Sequence, residues 1–144
     1  MVNSPTYDDV NLILRLYEMR REKKLRLARK WFTSEFKART MEDFLKVCPL
    51  GSEESAYFRM VVSYWEMVAS FVTNGVLNQE LFLQSGLELL AVWERIRDLV
   101  TLQRAANTNP GAYKNLEAVA KAASEYLKRQ GPEAYEAFSA RMRG

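Results

Sequence analysis

The chain has 144 residues, 48% of them apolar and 27% charged, which is the balance of one globular domain long enough to bury a real core. It has a single cysteine, Cys48, and no histidine, which excludes an internal disulfide, zinc sites of the usual cysteine and histidine types, the helical di-iron pattern with its Glu-x-x-His pairs, and any triad with a histidine base. The formal net charge of +3 is unevenly spread: residues 15–39 hold ten Lys or Arg against three Glu, residues 1–14 carry −2, residues 42–98 carry −5 and residues 99–144 carry +3.

The N-terminus, MVNSPTYDDV, has neither the basic nor the apolar region of a secretory leader, so the cytoplasm is the expected compartment. Ser4-Pro5 reads as an N-cap followed by proline at the first helical position, with Asp8 and Asp9 near the positive end of the dipole. A helix over 5–37 follows, with Val10, Ile13, Leu14 and Tyr17 apolar early and Leu25, Ala28, Trp31, Phe32 and Phe36 apolar late. Between them, Arg20 to Lys24 (RREKK) interrupts the apolar stripe for more than a turn, so the helix is expected to leave the core there or to meet something charged.

Thr40 caps a short helix over 41–48, with Asp43 in a capping-box-like position and Pro49 ending it. Ser52 caps a helix over 53–73, which Asn74-Gly75 closes in a left-handed turn. Its stretch 57–71, YFRMVVSYWEMVASF, is the one long run whose apolar residues cover most of a helix circumference, which makes it the central helix. Asn78 caps a helix over 79–104 whose seam is Phe82, Gly86, Leu89, Trp93, Ile96 and Val100; the glycine would admit a neighbouring helix or an aromatic ring. Asn109-Pro110 starts a helix over 110–130 with Tyr113, Leu116, Ala120, Ala123 and Leu127 inward, and with Glu117–Lys121 and Glu125–Arg129 as surface pairs. Pro132 opens a last helix over 132–142, with Tyr135, Phe138 and Met142 on one side. No stretch reaches the ~18 consecutive apolar residues of a membrane span. The expected fold is therefore an all-α bundle of five or six helices in a single domain over 1–144, with 53–73 and 79–104 central.

The segments Thr40-Met41-Glu42-Asp43-Phe44-Leu45, Tyr64-Trp65-Glu66, Gly75 to Phe82 (GVLNQELF) and Trp93 with Ile96 together resemble a family of uncharacterised bacterial domains classed as a domain of unknown function. The resemblance covers roughly half the chain and implies a small helical domain, with no activity, cofactor or catalytic residue to carry over. Members of that family often carry an N-terminal membrane helix, and here the charged segment 5–37 stands in that place.

Three sets of residues bear on function. Glu66 lies mid-helix among apolar residues, on a stripe with Arg59, Ser63 and Ser70; as a buried carboxylate it could serve as acid or base, and as a structural group it would pair with another helix. Arg20, Arg21, Lys23, Lys24, Arg26 and Lys30 form a candidate contact for a polyanion, either nucleic acid or an anionic membrane surface, with Trp31 and Phe32 beside them for stacking or insertion. Glu18 and Glu22 interrupt that set, which also suits an ordinary solvated helix. Cys48 reads as an inert packing residue. With no catalytic, metal or cofactor motif, the expectation is a non-enzymatic interaction or scaffold domain, binding a protein partner or a second copy of itself through the first helix. An electrostatic binder of polyanions is the alternative, and an enzyme using Glu66 the third reading.

Overall fold

A computed structural model describes residues 4–144; the first three residues of the stretch read for a leader lie outside the described residues. All regular structure among them is helical, in eight helices: α1 (Tyr7–Arg20), α2 (Lys23–Ser34), α3 (Met41–Val47), α4 (Glu53–Thr73), α5 (Gln79–Leu83), α6 (Glu88–Ala106), α7 (Lys114–Gln130) and α8 (Ala134–Arg143). The all-α class is as expected. The count is higher because two expected helices are each divided.

The first division falls at Arg21-Glu22. RREKK offers the core no apolar side chain, and Glu22 leaves the helical conformation (φ −58°, ψ 140°) to accept the Leu25 N–H on its own carboxylate. The segment 5–37 is thus two helices meeting at an elbow, the second capped by a glutamate. The second division falls at 84–87, where Gly86 holds the chain out of helix. A Cβ at Gly86 would meet the Phe82 ring at 2.4 Å, so the glycine is the space that this buried ring occupies. The aromatic contact expected at Gly86 is found, although it ends the helix instead of tightening one.

Local capping follows the sequence at most other ends. Thr40, Ser52 and Asn78 each accept an N–H from three residues on, and Gly75 (φ +76°) closes α4. At the N-terminus the cap is Thr6 instead of Ser4. Thr6 and Asp9 form a reciprocal capping box that the Thr-x-x-Asp spacing provides and Ser4-Pro5 does not. Asn109-Pro110 marks a turn before α7 rather than its start, since Asn109 Oδ1 accepts the Gly111 N–H and the helix begins at Lys114.

α4 is the centre of the bundle. Nine of its residues are buried, among them Phe58, Val61, Trp65, Val68 and Ala69. α2 lies along one side of it and α7 along the other, where Leu116, Ala120 and Ala123 are small or flat enough for close approach. α6 packs on α7 and α4 with Leu89, Leu90, Ile96, Leu99 and Val100 fully inside, and α8 closes over α6 and α7. Phe32, Phe36, Phe44 and Phe58 form an aromatic cluster at the α2–α3–α4 junction, with Phe32 stacked on Phe36 at 4.9 Å and Phe44 4.8 Å from Phe58. Each such contact adds about 1 kcal/mol to area burial. Among the described residues, no helix is long and apolar enough to cross a membrane.

Candidate functional site

Glu66 is half-buried on α4, and its carboxylate is committed to another helix. It accepts the Leu116 backbone N–H at 2.8 Å and the Asn115 Nδ2 donor at 2.7 Å. The N-cap position of α7 is Tyr113, held at φ +61° with no side-chain capping bond. Glu66 therefore supplies from α4 the acceptor that α7 lacks, at the end of the dipole that favours an anion. Asn115 is held from its other side by the Thr73 hydroxyl at 2.6 Å. Burial, with Glu66 nearby, raises the Tyr113 hydroxyl above the ordinary phenol value. Of the stripe named with Glu66, Arg59 donates to Ser55 Oγ, Ser63 to the Met60 carbonyl and Ser70 to the Met67 carbonyl, so these groups serve their own helix.

The most deeply buried carboxylate is a different one. Glu94 on α6 is 2% exposed and receives the Tyr135 hydroxyl at 3.1 Å and the Ser139 hydroxyl of α8, with Arg97 Nε at 3.8 Å. It is a polar clasp between α6 and α8. The sequence reading missed it. The available signal was the i,i+4 pair of hydroxyls, Tyr135 and Ser139, on one face of a short helix.

The basic set divides into two groups. Arg20 turns inward, 3.5 Å from Glu88 and over the rings of Tyr17 and Trp65. Arg29 joins it, gripping Glu88 through two bonds of 2.7 Å and donating to the Arg20 carbonyl at 3.1 Å. This triad stitches the α1–α2 elbow to the start of α6, and Glu88 holds the Arg29 guanidinium above its ordinary pKa. Arg21, Lys23, Lys24, Arg26 and Lys30 remain exposed on the outer side of the elbow. Phe32 is buried and Trp31 leans on Phe36 and Tyr57, so neither ring stands free beside those cations.

The exposed side of α1 carries an apolar stripe beside its polar residues Asn11, Arg15 and Glu18. Tyr7, Val10, Leu14 and Tyr17, spaced by three, four and three residues, are exposed by 78%, 40%, 55% and 51%. The opposite face of α1 contributes few buried groups and is tied down by polar bonds. Asp9 accepts the Asn78 N–H at 2.8 Å, Tyr64 donates its hydroxyl to the Leu16 carbonyl at 2.6 Å, and Arg20 meets Glu88. Burial pushes the Tyr64 hydroxyl up to about 12.

Cys48 is buried at the end of α3, where burial pushes its thiol up to about 11. The surface pairs on α7 also differ from expectation. Glu117 bonds Arg104 of α6 at 2.8 Å and Arg129 reaches Glu80, tertiary partners replacing the i+4 ones, while Glu125 meets Lys128 at i+3 on its own helix.

No curated protein and no solved structure matches this chain. A family model does, over residues 5–123, so α1 and α2 lie inside the matched region together with α3 to α6 and the first half of α7. The chain belongs to the DUF4760 family, a domain of unknown function.

Proposed function

We propose that this domain is a non-enzymatic interaction module that associates with a second copy of itself through the outer face of α1. The observation that carries the reading is the exposed stripe Tyr7, Val10, Leu14 and Tyr17. Its spacing is that of a helix–helix seam. Contiguous apolar surface of this kind, on the order of a few hundred Å², usually marks an interaction site. An antiparallel partner with a two-fold axis midway between Val10 and Leu14 seats Tyr7 of one copy beside Tyr17 of the other and Val10 beside Leu14, with the exposed charges Asp8, Arg15, Glu18 and Arg21 left at the margins. Stable interfaces bury ~800 Å² per partner, more than this stripe offers, so the association is weak, with a dissociation constant in the micromolar range or above.

Sedimentation velocity over a wide concentration range tests this. The expected result is a mass rising with concentration, returned to the monomer by Leu14→Asp with helix content unchanged. A monomer at every concentration, or a Leu14→Asp protein that associates as before, refutes the reading.

A second reading rests on a separate observation. Arg21, Lys23, Lys24, Arg26 and Lys30 all face outward, and none has a carboxylate within ion-pair distance among the described residues. Such a set suits a polyanion, either nucleic acid or an anionic membrane surface. Fluorescence anisotropy of a labelled DNA duplex, read at low and near-physiological salt, discriminates the two. Steeply salt-dependent binding that is lost on replacing Lys23, Lys24 and Arg26 with Gln favours this second reading, and no binding at low salt removes its nucleic-acid form.

A further inference from the structure

A cleft of about 390 Å³ opens where the α2–α3 link, α6 and the end of α8 converge. Four cations line it, Lys37, Arg39, Arg95 and Arg143, together with three carboxylates, Asp43, Glu94 and Asp98. The carboxylates are largely committed. Asp98 takes Arg143 at 2.8 Å and lies 3.9 Å from Arg39, Glu94 is turned into its clasp with Tyr135 and Ser139, and Asp43 faces the Arg39 backbone N–H. Arg39 and Arg143 also donate to the carbonyls of Arg143 and Glu94.

Two cations are left over. Arg95 is half-buried, and among the described residues its one hydrogen bond is to the Phe36 carbonyl at 3.1 Å. Burial lowers its pKa with no anion to hold it up. Lys37 lies beside Gly144 at the rim, with no Asp or Glu in ion-pair range among the described residues. A guanidinium withdrawn from water without a counter-ion is unfavourable, and an anion arriving from solution would relieve that cost.

We propose that this cleft binds a phosphate monoester, its dianionic phosphate held between Arg95 and Lys37. Arg95 and Lys37 are the two lining cations outside the ion pairs of Asp98, and the planar fork of Arg95 suits phosphate oxygens. The cleft is several times larger than a phosphate ion, and half-buried Met142 provides an apolar contact for the organic part. Asp43 and Asp98 oppose a second phosphate, which selects against polyphosphates.

The test is a titration at low ionic strength with inorganic phosphate and with glycerol 3-phosphate, followed by calorimetry, beside co-sedimentation with vesicles containing phosphatidic acid. Arg95→Gln is expected to weaken binding at least about tenfold, as loss of a charge-assisted hydrogen bond does. Lys37→Gln, at an exposed position, is expected to weaken it about threefold. Lys121→Gln, exposed on α7 and outside the cleft, should leave it unchanged. If Arg95→Gln does not fold, Lys37→Gln decides. Binding of the soluble ester with this dependence identifies a free metabolite as the source of the phosphate. The same dependence with vesicles alone identifies a lipid headgroup. No binding of any of the three probes, or binding that survives both substitutions, overturns the site and leaves the arginines as ties to backbone carbonyls.

Discussion

The carboxylate of Glu66 sits 2.8 Å from the backbone nitrogen of Leu116, so α4 caps the first turn of α7 across the helix interface. Fifty residues separate the two in sequence. Glu66→Ala removes the acceptor and leaves the Leu116 N–H and the Asn115 amide without it. The expected loss is about 1–3 kcal/mol of unfolding free energy. Glu66→Gln keeps one acceptor oxygen and should lose less. Urea denaturation of the three proteins checks the order, and equal stability of wild type and Glu66→Ala would show that the cap contributes nothing.

Gly86→Ala places a methyl group where the Phe82 ring stands, with neighbours at 2.4 to 2.8 Å. The ring is buried and cannot swing into solvent. Overpacking of this kind costs about 1–3 kcal/mol. Adding Phe82→Leu to Gly86→Ala should recover part of the loss, so that the two changes are non-additive in a thermal-melt double-mutant cycle. Additive effects would place the strain elsewhere.

Stability should fall in acid through two carboxylates. Backbone N–H groups of Asn78 and then Thr6 hold Asp9 below its ordinary pKa, and those of Leu25 and Lys24 do the same for Glu22. A group depressed on folding contributes fully above its unfolded pKa, ~4, and that contribution is lost as pH falls through the lower folded value. Melting temperature should therefore decline below about pH 4 in the wild type. Asp9→Asn should melt lower at neutral pH and decline less on acidification. A parallel decline in both proteins would remove Asp9 from the account.

Cys48 should resist alkylation in the native protein. A buried thiol whose pKa is near 11 offers almost no accessible thiolate at neutral pH. Iodoacetamide modification, followed by mass spectrometry, should therefore be slow in buffer and fast in denaturant. Rapid labelling of the folded chain would mean that the α3–α4 junction opens readily.

Much of the helical layout was legible because caps are local. Thr40, Ser52, Asn78 and Gly75 act within four residues of themselves, and the apolar coverage of 57–71 required a central place for α4. The break at Arg21-Glu22 was visible only as a lapse in the apolar stripe, since glutamate is an uncommon N-cap and no glycine or proline marks the spot. The role of Glu66 was half legible: its position among apolar residues announced a partner, but the partners are a backbone N–H, which belongs to no residue type, and the neutral amide of Asn115. Glu94 was hidden because a carboxylate inside a helix reads as surface until the hydroxyls of α8 are folded over it. Arg20 and Arg29 looked like the rest of their basic neighbourhood, and only Glu88, far along the chain, separates them from it.

α1 is joined to the bundle by three polar latches, at Asp9, Leu16 and Arg20, while Leu16 is its one fully buried apolar side chain. With three polar ties and the apolar contacts of Leu12, Ile13 and Leu16, α1 is held by less than α4 and opens at lower cost. Native-state hydrogen exchange should show the amides of α1 opening together and well before those of α4. The segment that carries the apolar stripe is then also the one that can leave its own fold with the least disturbance to the remainder, so a partner could take hold of α1 either in place or lifted away.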